Sequence, residues 1–209
     1  MKSLSLGSPM VIIVVGLPGV GKSFFARRFA ETFNAPLVSE DKIRYTLFSN
    51  HTYSKNENIM VDQVSRLIID ELLVSGKTFI LDGGYHTRSS RENITRLATK
   101  FGFRTLIVWV QTDEQTASRR AESRSLKNPG DQYKQSLTPE QYATFEKSFT
   151  VPDLDLKEKN TVVISGKHTY AAQAKTVLQK IVESRTDLER SDVPINREDS
   201  IGRSIFPSI

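Results

Sequence analysis

Five short runs of Val, Ile, Leu and Phe punctuate this 209-residue chain, at 11–15, 36–39, 78–81, 105–110 and 161–164. Most are near-continuously apolar, as in strands buried on both faces, and hence in a parallel sheet. Segments with a helical period lie between them. From Lys22 to about Phe33, the residues Phe25, Phe29 and Phe33 recur four apart and form a stripe for burial. From about Asn56 to Ser75, the residues Met60, Val64, Leu67, Ile68 and Leu72 mark an inward face, and Gly76 is placed to cap the end. A third helix is expected from Ser89 to Lys100, with Ile94 and Leu97 inward and Gly102 beyond. Strands alternating with helices require right-handed crossovers. The expected fold is α/β, a three-layer sandwich around a five-stranded parallel sheet.

The pattern changes after the fourth run. Thr112-Asp113-Glu114-Gln115 reads as a capping box opening a polar, arginine-rich helix to about Lys127, which Asn128-Pro129-Gly130 breaks. Thr138-Pro139-Glu140-Gln141 opens another helix with proline at its first position, and Val151-Pro152-Asp153 ends it. Residues 112–150 are therefore expected to form a mobile helical lid on a domain spanning 10–184. Residues 1–9 read as a polar leader, and 185–209 as a polar tail, extended or partly disordered, whose Ile205, Phe206 and Ile209 could dock.

The absence of cysteine excludes disulfides, thiolate metal sites and cysteine nucleophiles. His51, His86 and His168 are scattered and lack metal-ligand spacing. The apolar run at 10–15 is too short for a signal segment or a membrane span, so a cytoplasmic protein without a membrane partner is expected. A net charge of +5 suits either a polyanionic substrate or the handling of phosphates alone.

Chemistry enters at Gly16-Leu17-Pro18-Gly19-Val20-Gly21-Lys22-Ser23, a complete Gly-x4-Gly-Lys-Ser between a strand and a helix. Glycines let the backbone wrap a phosphate with its N–H groups, and the helix start adds its dipole. Lys22 would neutralise the β and γ phosphates of ATP, and the Ser23 hydroxyl would ligate Mg²⁺. The loop calls for a second metal-holding group, and the apolar run into Asp82 supplies an acid of the right kind; an ordinary turn aspartate before Gly83-Gly84 is the alternative. Gly83 follows Asp82 where motor ATPases usually carry glutamate, which argues against a hydrolysis-driven machine. The guanine signature Asn-Lys-x-Asp is also missing.

Functional groups gather at the carboxyl ends of parallel strands. There, after the second run, Asp41 is a candidate base for a hydroxyl acceptor. Arg44, one helical turn on, is a candidate for holding an anionic substrate. Alternatively Ser39 or Asp41 caps a helix and Arg44 is solvated. Arg120 and Arg124 would share a face of the polar helix and, with Arg119, supply mobile cations to the nucleotide and the transferring phosphoryl group; a solvated face paired to Glu114 or Glu122 is the alternative. Arg88 and Arg91 either bind substrate phosphate or cap their helix. His86 is a turn residue or a ligand, and Trp109 belongs to the core.

These residues together resemble a small P-loop kinase, of the set that includes polynucleotide 5′-hydroxyl kinases, gluconate-type kinases and zeta toxins. The resemblance runs from about Val11 to Ser165. Asp41-Lys42-Ile43-Arg44 is similar to the Asp-x-x-Arg of polynucleotide kinases, which implies a general base at Asp41 and an acceptor-site arginine at Arg44. Residues 79–82 with Arg88 and Arg91, Arg120 and Arg124, and 136–140 leading into Phe149 resemble the third-strand segment, the lid arginines and the following helix. Gly83, Gly84 and Tyr85 depart from the Asn and Thr usual after the third-strand acid. The implied activity is transfer of the γ-phosphoryl group of ATP to a hydroxyl on a nucleic acid or a small molecule. The competing expectations are a partner-regulated ATPase switch and a nucleic-acid-binding protein that retains a nucleotide site.

Overall fold

The computed structural model describes residues 9–48, 52–125, 132–155 and 158–191, with side chains described as far as 184. The elements in order are β1 (Met10–Val15), α1 (Lys22–Phe33), β2 (Leu37–Ser39), α2 (Glu40–Leu47), α3 (Lys55–Ser75), β3 (Phe79–Asp82), α4 (Arg88–Lys100), β4 (Arg104–Gln111), α5 (Glu114–Glu122), α6 (Pro139–Ser148), β5 (Thr161–Ser165) and α7 (Tyr170–Ser191). The strands form one sheet in the order β2-β3-β1-β4-β5, and every pairing is parallel.

The period of the strands sorts the core into two layers. Met10, Ile12 and Val14 face one side, with Phe25 and Phe29 of α1 and Val177 and Ile181 of α7. Val11, Ile13 and Val15 face the other, with Ile69 and Leu73 of α3 and Ile94 and Ala98 of α4. All six β1 residues are buried, which is why the run carries no polar alternation. Helices on both faces give the expected three layers. The α1 stripe is present: Phe25–Phe29 and Phe29–Phe33 ring centroids lie 5.2 and 4.5 Å apart.

Gly76 ends α3 at φ 67°, and its N–H bonds to Leu73 O. The inward face of α3 is displaced from the expected one. Val61, Ser65, Ile69 and Leu73 are buried, whereas Met60, Leu67 and Ile68 are exposed. The helix carries two apolar lines one residue apart, and only its rotation on the sheet selects between them.

Beyond β4, Asp113 rather than Thr112 caps α5, accepting from Thr116 N at 3.0 Å. The Thr112 hydroxyl is buried without a partner. The helix stops at Glu122, short of the expected Lys127, and 126–130 lie outside the described residues. At α6 the capping box of Thr138 and Gln141 forms as expected, with Pro139 at its start. The expected extended tail is corrected in part: α7 continues to Ser191, through the first residues assigned to it. Residues 1–8 of the leader expected at 1–9, His51, and the apolar residues Ile205, Phe206 and Ile209 lie outside the described residues. Among the described residues no helix is long and apolar enough to cross a membrane.

Candidate functional site

Sheet register brings the chemistry together. Asp82 sits level with Val14 on one side and Ser39 on the other. The carboxyl ends of β1, β3 and β2 therefore carry the phosphate loop, Asp82, and the start of α2 with Glu40 and Asp41, side by side.

The loop needs its glycines for close approach. Gly19 has φ 82°, and a Cβ there would lie 1.9 Å from the carbonyl oxygen of Ala117. Helix α5 thus rests directly on the loop through its small buried residues Ala117 and Ala121. Val20 anchors the loop in the core, and Gly21 precedes α1 at φ 105°. Lys22 turns back to donate to Leu17 O at 2.7 Å. Burial, then the charges of Lys134 and Arg124, lower its pKa to about 7, against the opposing pull of Asp82 and Asp41.

A cavity of about 630 Å³ opens from the loop. Gly16, Pro18, Lys22, Asp41, Asp82, Arg124 and Lys134 line its phosphate end. Lys134 was not among the expected residues. Its ammonium lies 2.5 Å from Ser23 Oγ and 3.2 Å from Asp41 Oδ2, so it bridges the expected metal ligand and the expected base. It lies in a polar stretch without a motif, and an edge-on contact of Tyr133 with Tyr45, centroids 5.5 Å apart, ties that stretch to α2. Burial alone would raise the pKa of Asp41, but Lys134, Arg124 and Lys22 outweigh it and hold the carboxyl below its usual range. Asp41 is ionised at neutral pH and can accept a proton.

Asp82 is buried at the strand end, 3% exposed, and forms no ion pair among the described residues. A buried carboxylate left unpaired suits a bound cation. With the Ser23 hydroxyl it makes a hard oxygen donor set, which fits Mg²⁺.

The arginines separate into roles that sequence did not distinguish. Arg124 lines the cavity and donates to Gln135 O at 3.5 Å. It lies beyond the end of α5, so it shares no helical face with Arg120. Arg119 and Arg120 are exposed and do not line the cavity, because seating Ala117 and Ala121 on the loop turns them to solvent. Arg44 does line the cavity, but its guanidinium is engaged: Glu57 at 3.4 Å, Asn58 at 2.7 Å, and the Tyr53 ring centroid at 4.8 Å. Ser39 caps α2 through Lys42 N, so the capping alternative holds for Ser39 while Asp41 remains at the site.

Arg88 and Arg91 neither bind at the cavity nor cap α4, whose cap is Thr87. Arg91 is buried in a two-pronged pair with Glu158, at 2.6 and 3.0 Å, and also donates to the carbonyls of Tyr85 and His86. Arg88 pairs with Glu92 and Asp153 at the surface. Glu92 is a local partner four residues on, but Asp153 and Glu158 lie more than 60 residues away in the chain, beyond the reach of a local pattern. The result is a clamp that holds the turn after β3. His86 lines the cavity, and burial, then the charges of Arg91 and Lys22, lower its pKa, so it stays neutral. Trp109 packs against the core.

The rest of the cavity wall is formed by Glu40, Asp62, Tyr53, Asn58, the Gly83-Gly84 turn, Tyr85 and residues of α6 including Gln141 and Phe145. Here Tyr53 adopts φ 58°, a conformation uncommon for a residue with a side chain, and its ring meets Phe145 edge-on at 6.3 Å. No motif marked these residues apart from the departure at Gly83, Gly84 and Tyr85.

The family profile of an AAA domain, AAA_33, matches residues 11–152, from β1 to just beyond α6. An adenylate kinase from Listeria innocua is 24% identical over 127 residues, covering 55% of this chain and 59% of that enzyme, so the match spans less than two thirds of its relative's length. A gluconokinase from Sinorhizobium meliloti 1021 has a similar structure, with TM-score 0.60 and 16% identity over 90% of this chain and 98% of its own. So does Chaetomium thermophilum Kti12 in complex with ADP-AlF3, with TM-score 0.64 and 16% identity over 83% of this chain and 97% of its own. The chain belongs to the AAA_33 family of AAA domains, and its fold is that of the P-loop kinases.

Proposed function

We propose that this chain is an ATP-dependent phosphotransferase whose acceptor is a hydroxyl group bound in the cavity beside the phosphate loop. One observation carries this reading: Asp41, held ionised, stands at the junction between the loop's Ser23 and a cavity large enough for a small molecule. Its Lys134 partner would exchange that pairing for the transferring phosphoryl group.

In this reading the backbone of residues 16–23 and Lys22 hold the phosphates. Ser23 and Asp82 would hold Mg²⁺, which supplies neutralisation of phosphate charge when bound. Asp41 accepts the proton of the acceptor hydroxyl. The acceptor oxygen forms a bond to the γ-phosphorus, the bond from that phosphorus to the β,γ-bridging oxygen breaks, and ADP leaves. Arg124 and Lys134 lie where they can follow the charge on the transferring group. The adenylate kinase and gluconokinase relatives support phosphotransfer as the class of chemistry. The nucleotide would sit on a loop whose donors are backbone N–H groups, so recognition of its phosphates would not depend on the acceptor.

The test is radiolabelled transfer from [γ-³²P]ATP to a panel of hydroxyl compounds, with Asp41→Asn as the diagnostic variant. The expected result is a labelled product whose rate falls on the order of 10²–10⁴-fold in Asp41→Asn, with nucleotide affinity little changed. Water as the sole acceptor, at a rate unaffected by Asp41→Asn, would mean a switch-type ATPase instead.

A further inference from the structure

Charge is divided along the cavity. The cations Lys22, Arg124 and Lys134 lie at the phosphate end, where Asp41 and Asp82 are balanced against them. The end toward the Gly83-Gly84 turn carries the carboxyl groups of Glu40 and Asp62 and the ring of Tyr85. Neither Glu40 nor Asp62 forms a hydrogen bond or an ion pair among the described residues. Arg44, the only cation lining this end among the described residues, is already engaged by Glu57 and Asn58. Arg66, one helical turn after Asp62, is exposed, lies outside the lining and pairs with neither acid.

The Glu40 carboxylate is pressed against the Gly83-Gly84 turn: a Cβ on Gly84 would stand 1.9 Å from its Oε1. The pair of glycines after Asp82 therefore has a local use, leaving room for an acid where a side chain would intrude. Burial, then the neighbouring charge of Asp41, raise the pKa of Glu40 to about 7, against the opposing charge of Arg44. Burial, then the charges of Glu40 and Asp62, raise the pKa of Tyr85 against the opposing charge of Arg66. It stays a neutral ring beside them. Carboxylates with aromatic faces form a site for a cation, and they repel an anion.

We propose that the acceptor is a small hydroxyl compound carrying an amine, its ammonium group held by Glu40 and Asp62 against Tyr85. This rests on the phosphotransferase reading above and narrows its acceptor. A sugar acid or a polynucleotide would bring negative charge to the acidic end of the cavity. An amino alcohol brings the missing partner there and leaves its hydroxyl to reach Asp41.

The experiment presents Mg²⁺ and ATP with a matched set: glucosamine, glucose, gluconate, an oligonucleotide with a free 5′-hydroxyl, and a series of aminocyclitols and linear amino alcohols. Phosphorylated products are identified by mass spectrometry. An amine is expected to exceed its uncharged analogue in kcat/KM by at least about tenfold, and acids and oligonucleotides to be poorer still. Glu40→Gln and the surface variant Asp62→Asn are each expected to shrink the amine-to-uncharged ratio about tenfold, chiefly through KM. Preference for gluconate or the oligonucleotide, or a ratio unchanged in both variants, overturns the proposal.

Binding of the same set to protein loaded with a nonhydrolysable ATP analogue, followed by ligand-observed NMR, reads the charge preference without turnover. Equal binding of amine and acid overturns the proposal. An amine preference that Asp62→Asn abolishes, without phosphorylated product from any acceptor, upholds the cation site and instead sinks the phosphotransferase reading.

Discussion

Raising the pH from 7 to 9 should weaken nucleotide binding by an amount set by Lys22. Its pKa stands near 7, lowered by burial and then by the charges of Lys134 and Arg124. A triphosphate brings opposite charge to within contact of the ammonium, so the bound lysine keeps its proton to higher pH. Below pH 7 the free lysine is already protonated, and its contribution to affinity is constant. Above pH 7 the free site must take up a proton in order to bind, and affinity falls by up to about tenfold, or about 1.4 kcal/mol, per pH unit. The fall ends when the pH reaches the pKa of the bound state. Two units thus give a limit of about 2.7 kcal/mol, roughly 100-fold in Kd. A lysine with an ordinary pKa would give almost none of this below pH 9.

The assay is titration calorimetry of a nonhydrolysable ATP analogue with Mg²⁺, in buffers of different ionisation enthalpy. It should show proton uptake approaching one per site at pH 8 to 9. Lys22→Arg removes the titration because guanidinium stays charged, and its affinity, though lower, should be flat over this range. Absence of proton uptake at pH 8, or the same pH dependence in Lys22→Arg, would refute the reasoning.

Lys134→Ala removes the second-largest influence lowering the Lys22 pKa, so the pH at which nucleotide affinity begins to fall should move upward in the same calorimetric series. Arg91→Ala leaves Glu158 buried without its partner, and should cost about 3–5 kcal/mol, seen as a drop in Tm of roughly 10 °C by calorimetry. Arg88→Ala breaks only part-exposed pairs and should cost less than about 1 kcal/mol in the same measurement. Gly19→Ala places a methyl group against the Ala117 carbonyl and should abolish nucleotide binding by calorimetry, whereas Gly76→Ala, with open space around it, should cost about 1–2 kcal/mol of stability and leave binding intact.

The local signals carried far in this chain. Five apolar runs gave the strands to within a residue or two at each end, most closely constrained where, as in β1 and β3, the strand is covered on both faces and has little freedom in composition. The phosphate loop, the Phe25–Phe29–Phe33 stripe, the Gly76 cap and the Thr138 capping box are all set by residues within a turn or two of one another. Asp41 and Asp82 could be placed because parallel strands deliver their carboxyl ends to one edge.

Tertiary structure decided whatever depended on a distant partner. It selected which of two apolar lines on α3 is buried, and it ended α5 early, so that Arg124 entered the cavity while Arg119 and Arg120 turned to solvent. It committed Arg91 to Glu158 and Arg44 to Glu57, two arginines whose sequence context equally suited a substrate. It also brought Lys134 onto Ser23 and set Glu40 against Gly84. The physical reason is the range of the interactions. Backbone propensity, capping and strand burial are local, so neighbouring residues encode them. Ion pairing and desolvation depend on what the fold places within a few ångströms, and the chain's order does not contain that.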